Sequence, residues 1–412
     1  MACPYGHGMP YPYAVHRLLS EAAMRRASRW LLRLTAFLAG IWLIPHLWCE
    51  RGADAWFDGD AALQGKLAAG VAGWVDRDLS TSDFQTGSDL FDGEWLFGSY
   101  LMAGLGFGQT AVEHPEWRAR HVALLDRCLD RLLSPGVRAF DADRWSNDPI
   151  DTLEDGDGHA AYLGYLNLVL GLRRFLDPAF PRAELHDRIT AALARRFDRA
   201  PAGLIETYPG EGYPVDNCAG IGSIGLHAAA TGDARHRPVV DRWLTRCRER
   251  WIDPATGLLF QAADPLTGRP SDAPRGSGTA LAVYFLSFAD TDLPRDLYAG
   301  LQRSLSGRFL GFGVVREYAR GTSGRGDIDS GPIILGYGLS ATGFALAGSR
   351  MHGDRETYRA ILGTANLFGA PRDNGDAIRF VSGGPLGNAI LFAMTTARPP
   401  GTWKMRTPEG PR

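Results

Sequence analysis

Residues 203–232 read GLIETYPGEGYPVDNCAGIGSIGLHAAATG. The first half sets Glu206, Tyr208, Glu211, Tyr213, Asp216 and Asn217 among three glycines and two prolines. Such a composition breaks a regular helix and offers polar groups to a cleft. From Cys218 to Ala230 the chain turns small and apolar. A closely packed helix entered from a rigid polar loop is the expected structure, and that is a favourable place to preorganise a site.

The same alternation recurs on both sides. Apolar periodicity predicts helices over 54–78, 95–111, 118–133, 159–176, 181–199, 218–231, 238–251, 279–288, 293–305, 333–349, 355–368 and 385–396. Pro135-Gly136 is expected to end the third of these, and Pro332 to open the helix at 333. Glycine- and alanine-rich members alternate with amphipathic ones. A ring of helix pairs requires this, because inner helices meet neighbours on every side whereas outer helices bury one face. The expected fold class is therefore all-α, an (α/α)6 barrel or toroid over 51–400. A basic segment and hydrophobic helix precede it at 1–50, and a polar tail follows at 401–412. An elongated helical solenoid would have shorter, more regular repeats.

Arg17, Arg25, Arg26 and Arg29 precede WLLRLTAFLAGIWLIPHLW at 30–48, which is apolar apart from Arg33 and His46. A basic flank before an apolar run marks an export signal or a membrane anchor. With no small-x-small cleavage signal after it, a retained transmembrane anchor is expected, with the main domain exported to the periplasm or otherwise outside the cytoplasm. An amphipathic helix lying on the domain is the alternative.

A net charge of -2, from 44 basic and 46 acidic residues, leaves no electrostatic footprint for nucleic acid. The five cysteines contain no CxxC pair, so neither a disulfide framework nor a cysteine metal site is indicated.

Four polar loops precede apolar helices. The first carries Asp83, Asp89, Asp92 and Glu94 with Phe91 and Trp95, of which Asp89 and Trp95 are taken as substrate-binding. The second carries Asp157 and His159 in EDGDGH, which lacks the spacing of a calcium loop and reads equally as a capped helix terminus. The third places Glu206 and Glu211 beside Tyr208 and Tyr213, surroundings that can raise a carboxyl pKa toward working pH. Asp216, Asn217 and Cys218 fall at a helix start. The thiol is there either activated by backbone donors or simply a buried small hydrophobe. The fourth offers Arg316, Glu317, Tyr318, Arg325, Asp327 and Asp329. No GxSxG, HExxH or phosphate-cradling glycine motif is present.

The order of these motifs resembles the linalool dehydratase/isomerase family. NDPIDTLEDGDGHAAYLGYLNLVLGL at 147–172, the loop and helix at 204–232, and WLTRCRERWIDPATGLLFQAADPLTGRP at 243–270 carry the likeness, which spans 95–353. The resemblance implies an α/α toroid performing acid–base dehydration or isomerisation of a small alcohol. It implies no cofactor and no metal, and a homo-oligomer is compatible with it. The family's helix histidine falls on Tyr165, its first cysteine on Glu206 or Thr207, and its second on Asn217 or Cys218.

A dehydration would use Glu206 as acid, with Tyr165, Asp157, His159 or Cys218 orienting the hydroxyl or taking a proton. Tyr208, Glu211, Tyr213, Asp216, Asn217, Asp327 and Asp329 would line the substrate site. Two other readings stay open. A glycan-processing hydrolase or lyase needs paired carboxylates across a sugar cleft, which four acidic loops supply readily. A non-catalytic exported binding protein would use the same loops for recognition.

Overall fold

The computed structural model describes residues 13–326 and 330–403, with side chains from residue 24 onward. Its first unit is one helix, α1 (Tyr13–Cys49). The stretch from Met24 is long and apolar enough to cross a membrane, by length and composition, with a mean hydropathy of 1.4. Trp30, Leu31, Leu32, Phe37, Ile41, Trp42, Ile44 and Trp48 are all exposed along it.

The second unit runs from Glu50 onward. Its helices are α2 (Ala53–Asp58), α3 (Ala61–Val75), α4 (Asp89–Glu113), α5 (Arg118–Leu132), α6 (Pro135–Trp145), α7 (Ala160–Leu176), α8 (Ala183–Arg199), α9 (Pro214–Thr231), α10 (Arg237–Arg250), α11 (Gly276–Leu286), α12 (Asp292–Ser304), α13 (Leu339–Met351), α14 (Arg355–Gly369) and α15 (Gly384–Thr395). Packing closes a ring in the order α4, α7, α9, α11, α13, α15 and back to α4. Outside it lie α3, α5, α8, α10, α12 and α14, each against one or two inner helices. This is the (α/α)6 toroid expected from the alternation of small and amphipathic helices.

Among the described residues, three short antiparallel hairpins decorate the loops: β1 (Ser306–Phe309) with β2 (Phe312–Val315), β3 (Ile333–Ile334) with β4 (Tyr337–Gly338), and β5 (Pro371–Asp373) with β6 (Ile378–Phe380).

Small residues set the ring's diameter. A methyl group on Gly164 of α7 would lie 2.8 Å from the backbone nitrogen of Gly220 in α9, and one on Gly222 would lie 2.1 Å from the Phe285 carbonyl oxygen of α11. These helices touch backbone to backbone. At the ring's centre the Tyr284 hydroxyl donates to Gln109 Oε1 at 2.9 Å, while Gln109 Nε2 donates to the Ala393 carbonyl at 2.9 Å. Helices α4, α11 and α15 are thereby tied across the ring, and all four polar groups are satisfied where water is absent.

Long connections all enter inner helices, and short ones leave them. Since each hairpin is antiparallel, the six inner N-termini and their long loops gather at one end.

The structure corrects three boundaries. The helix expected over 54–78 is divided at Gly59, whose φ of 79° is left-handed, and Asp60 caps the new start by accepting from the Leu63 amide at 2.9 Å. Pro135 opens α6 instead of closing α5, since a proline in a first helical turn forfeits no hydrogen bond. Residues 333–338 form a hairpin instead of a helical turn. Leu335 and Gly336, at φ 55° and 84°, make the two-residue turn that a twisted hairpin needs, so α13 starts only at Leu339.

Candidate active site

The polar loop before α9 is a short bridged turn. Tyr208 pairs with Glu211, and Gly212 pairs with Ala263 of the loop before α11. Asn217 fixes this loop from beneath. Its amide donates to the carbonyls of Ile205 and Tyr213, each at 3.0 Å, and its oxygen accepts from the Ile205 amide at 2.8 Å. Fully buried and fully bonded, Asn217 is a brace for the loop.

Asp216 sits in the first turn of α9. Tyr165 donates its hydroxyl to Oδ1 at 2.5 Å, and Thr207 donates to Oδ2 at 2.6 Å. Burial raises the Asp216 pKa, while the two donors pull it down. From the same loop, Tyr208 donates to Glu94 Oε1 in the second turn of α4. Burial raises the Glu94 pKa as well, the Tyr208 bond opposes the shift, and the charge of Asp216 adds to it. Two desolvated carboxyls are thus held by one loop, and Glu94 feels the charge of Asp216.

Aromatic rings frame them. Tyr165 lies between Phe97 of α4 and Phe285 of α11, with ring centroids 6.3 and 5.2 Å away. Trp95 is half-buried and meets Phe84 edge-on at 6.3 Å. The guanidinium of Arg144 covers the Tyr208 ring at 4.9 Å and bonds Glu211 Oε1 at 2.9 Å. Tyr213 donates to the other oxygen of Glu211 at 2.8 Å.

Of the residues singled out in the sequence, Tyr165, Tyr208, Glu211, Tyr213 and Asp216 gather here, with Trp95 on the helix that carries Glu94. The others are placed differently. Glu206 turns back on its own loop, accepting from the Gly210 amide at 2.9 Å. Asp157 is solvent-exposed and pairs with Arg199 at 2.9 Å. His159 is fully buried, with Nδ1 2.5 Å from Asp141 Oδ2 and Nε2 2.9 Å from Asn147 Oδ1, so both its nitrogens are committed. Cys218 is fully buried, and burial together with the neighbouring Cys247 pushes its thiol pKa well up. Asp89 is exposed at the first position of α4. Asp327 and Asp329 lie outside the described residues.

The sequence places Glu94 among the first loop's acids without marking it as a site residue, and it gives no sign of Arg144. Glu94 has a signal: it stands three and seven residues before the buried Phe97 and Leu101, on the core-facing stripe of α4. Arg144 has none, because α6, which presents it, falls between the helices that apolar periodicity predicts at 118–133 and 159–176.

No protein-family model and no curated protein matches the sequence. Solved structures do match by fold. One is a UGL variant with the saccharide dGlcA-Glc-Rha-Glc, at 13% identity and TM-score 0.50, covering 83% of this chain and 99% of that one. A family 105 glycoside hydrolase from C. acetobutylicum ATCC 824 matches at 13% identity and TM-score 0.49, covering 81% and 98%. An alpha-1,6-mannanase from Salegentibacter sp. HEL1_6 matches at 10% and 0.48, covering 81% and 98%. At these identities the likeness is one of fold.

The linalool dehydratase/isomerase reading is corrected on these findings. The thiol that the resemblance would call upon is sealed in the core with its proton held on, and the UGL variant that matches at TM-score 0.50 is a complex with a saccharide. The apolar helix α1 has the length and composition of a signal or anchor.

Proposed function

We propose that this chain is a glycan-processing enzyme, a glycoside hydrolase or polysaccharide lyase, in which Glu94 and Asp216 are the catalytic pair. The observation that carries the reading is that both carboxyls are raised by burial, that the neighbouring Thr207 and Tyr208 of one loop donate to them, and that the charge of Asp216 acts on Glu94. Paired acids pushed apart by their surroundings are the arrangement that divides acid from base. The saccharide in the UGL complex belongs to the same substrate class.

Their roles follow from their partners. Asp216 receives two hydroxyl donors and lies at a helix N-terminus, both of which favour its ionised form. Glu94 receives one donor and sits in the field of Asp216, which favours keeping its proton. In hydrolysis, Glu94 gives that proton to the glycosidic oxygen as the carbon–oxygen bond breaks. Asp216 takes a proton from the water whose oxygen bonds to the anomeric carbon. In a lyase reaction the same base would take a carbon-bound proton instead, leaving an unsaturated sugar. Trp95, Tyr208 and Tyr213 offer flat faces to sugar rings, and Arg144 offers a cation beside them. With α1 as signal or anchor, the enzyme would work outside the cytoplasm.

The test is mass spectrometry of oligosaccharide pools incubated with the protein, with Glu94→Gln and Asp216→Asn in parallel. Products gaining 18 Da per cleavage would mark hydrolysis, and unsaturated ends would mark elimination. Each substitution should slow turnover by about 10²–10⁴-fold, the usual range for loss of a positioned acid or base. Tight saccharide binding with no product would instead favour the non-catalytic binding protein.

A further inference from the structure

A second group of polar side chains lies far from this pair. His227 is just before the last turn of α9, eleven residues beyond Asp216, which is roughly 16 Å along the helix at 1.5 Å per residue. His186 and Asp187 lie near the start of α8, the outer helix packed against it. His227 Nε2 is 2.8 Å from Asp187 Oδ1, and the two imidazole rings are 4.8 Å apart. One donor atom from each of the three residues falls within 4.8 Å of the other two.

His186 is the unusual member. It is fully buried, and neither of its ring nitrogens has a hydrogen-bond partner. Leaving a buried polar group unmet costs about 1–3 kcal/mol, and here there are two on one ring. Its Nε2 lies against Gly171 of α7, where a methyl group would approach it to 3.5 Å, so the glycine keeps space beside the ring.

We infer that His186, Asp187 and His227 form a binding site for a divalent transition metal ion of the zinc class. Two imidazoles and one carboxylate are a ligand set that suits zinc and leaves a coordination position for water. Zinc bonds of about 2.0–2.2 Å require ligand atoms about 3.4 Å apart, so filling the site takes a movement of His186 inward and an opening of the 2.8 Å contact between His227 and Asp187. Arg174 approaches the other carboxylate oxygen, Asp187 Oδ2, at 3.9 Å. Its charge opposes the ion, and Asp187 offsets one unit of it. Asp233, bonded to Arg235, and His236 are the other titratable groups near His227. The ion would clamp an outer helix to an inner one at the end of the ring opposite the loops. This inference does not depend on the catalytic pair.

The experiment is calorimetric titration of the full chain in detergent micelles, stripped with chelator, with zinc chloride. Cobalt(II) absorption reads the ligand field. One equivalent should bind, the melting temperature should rise, and cobalt should give visible bands of a nitrogen–oxygen site. Asp187→Asn, at an exposed position that the fold tolerates, and His227→Gln should each weaken binding. The loss should exceed the roughly 10–100-fold that follows removal of an outer-shell partner. Glu94→Gln should bind zinc as the parent does. Absence of saturable binding by the parent would overturn the assignment and leave the Asp187–His227 contact as an ion pair. So would undiminished binding in both variants.

Discussion

The Tyr165 hydroxyl donates to Asp216 Oδ1 at 2.5 Å, tying an inner helix to the first turn of its neighbour. Tyr165 therefore orients the carboxylate and stabilises its charge. Tyr165→Phe removes that donor while keeping the ring between Phe97 and Phe285. A hydrogen bond to a charged group contributes about 1.5–3 kcal/mol, so the acidic limb of the kcat profile should move up by about one to two pH units. Profiles of kcat against pH for parent and variant would measure it. An unmoved limb would remove Asp216 from the role of base.

Stability should carry the mark of the raised carboxyls. A group whose pKa is higher in the folded than in the unfolded chain stabilises fully below its unfolded value. That contribution is lost as pH rises through the folded value. Glu94 and Asp216 both have this sign. Between about pH 4, the ordinary carboxyl value, and neutrality, the parent should lose stability relative to Glu94→Gln. Melting temperatures of the two proteins across that range would show the gap changing in the variant's favour. A constant gap would mean that Glu94 is not desolvated.

Cys218 gives a contrasting prediction. Buried beside Cys247 and held protonated, it is neither exposed nor nucleophilic. Cys218→Ala should keep turnover within about twofold and cost on the order of 1 kcal/mol of stability, as loss of a small buried group does. Native protein should resist iodoacetamide at this position, as peptide mapping would reveal. Abolished turnover in the folded variant would restore a role for the thiol.

The toroid was legible because its cause is repeated: small residues where helices touch on all sides, amphipathic faces where they touch on one. The third loop was legible for a related reason, since Pro209, Gly210, Gly212 and Pro214 fix its path while Tyr208, Glu211 and Asp216 supply its chemistry. Glu94 was not singled out, because an acid near a helix start reads as a cap until the helix's orientation is known. Asp89, on the same helix, takes that outward position. His159 misled in the opposite sense. Beside three acids it resembles a general base, but its partners are Asp141 and Asn147, and Asp141 is brought to it by α6, a helix outside the predicted set. Proximity across elements is the quantity that a linear pattern does not carry.

Gly164 tests the claim that backbone contact sets the ring. A methyl group there would meet Gly220 at 2.8 Å from nitrogen and 3.0 Å from Cα, both backbone atoms that cannot rotate aside. In an isolated helix, replacing glycine by alanine stabilises by about 1 kcal/mol. Here the overlap should reverse that sign, because α7 and α9 must separate and lose contact along their length. Overpacking of this kind costs typically about 1–3 kcal/mol. Gly343 of α13, where a methyl group would meet nothing within 4 Å, is the internal control. Gly164→Ala should lower the urea midpoint and Gly343→Ala should hold or raise it. The first variant should also weaken turnover, since Tyr165 follows Gly164 directly and Asp216 starts the helix that would be displaced. Equal midpoints in the two variants would show that the ring yields at this contact, and the close approach of α7 and α9 would then not be what positions the pair.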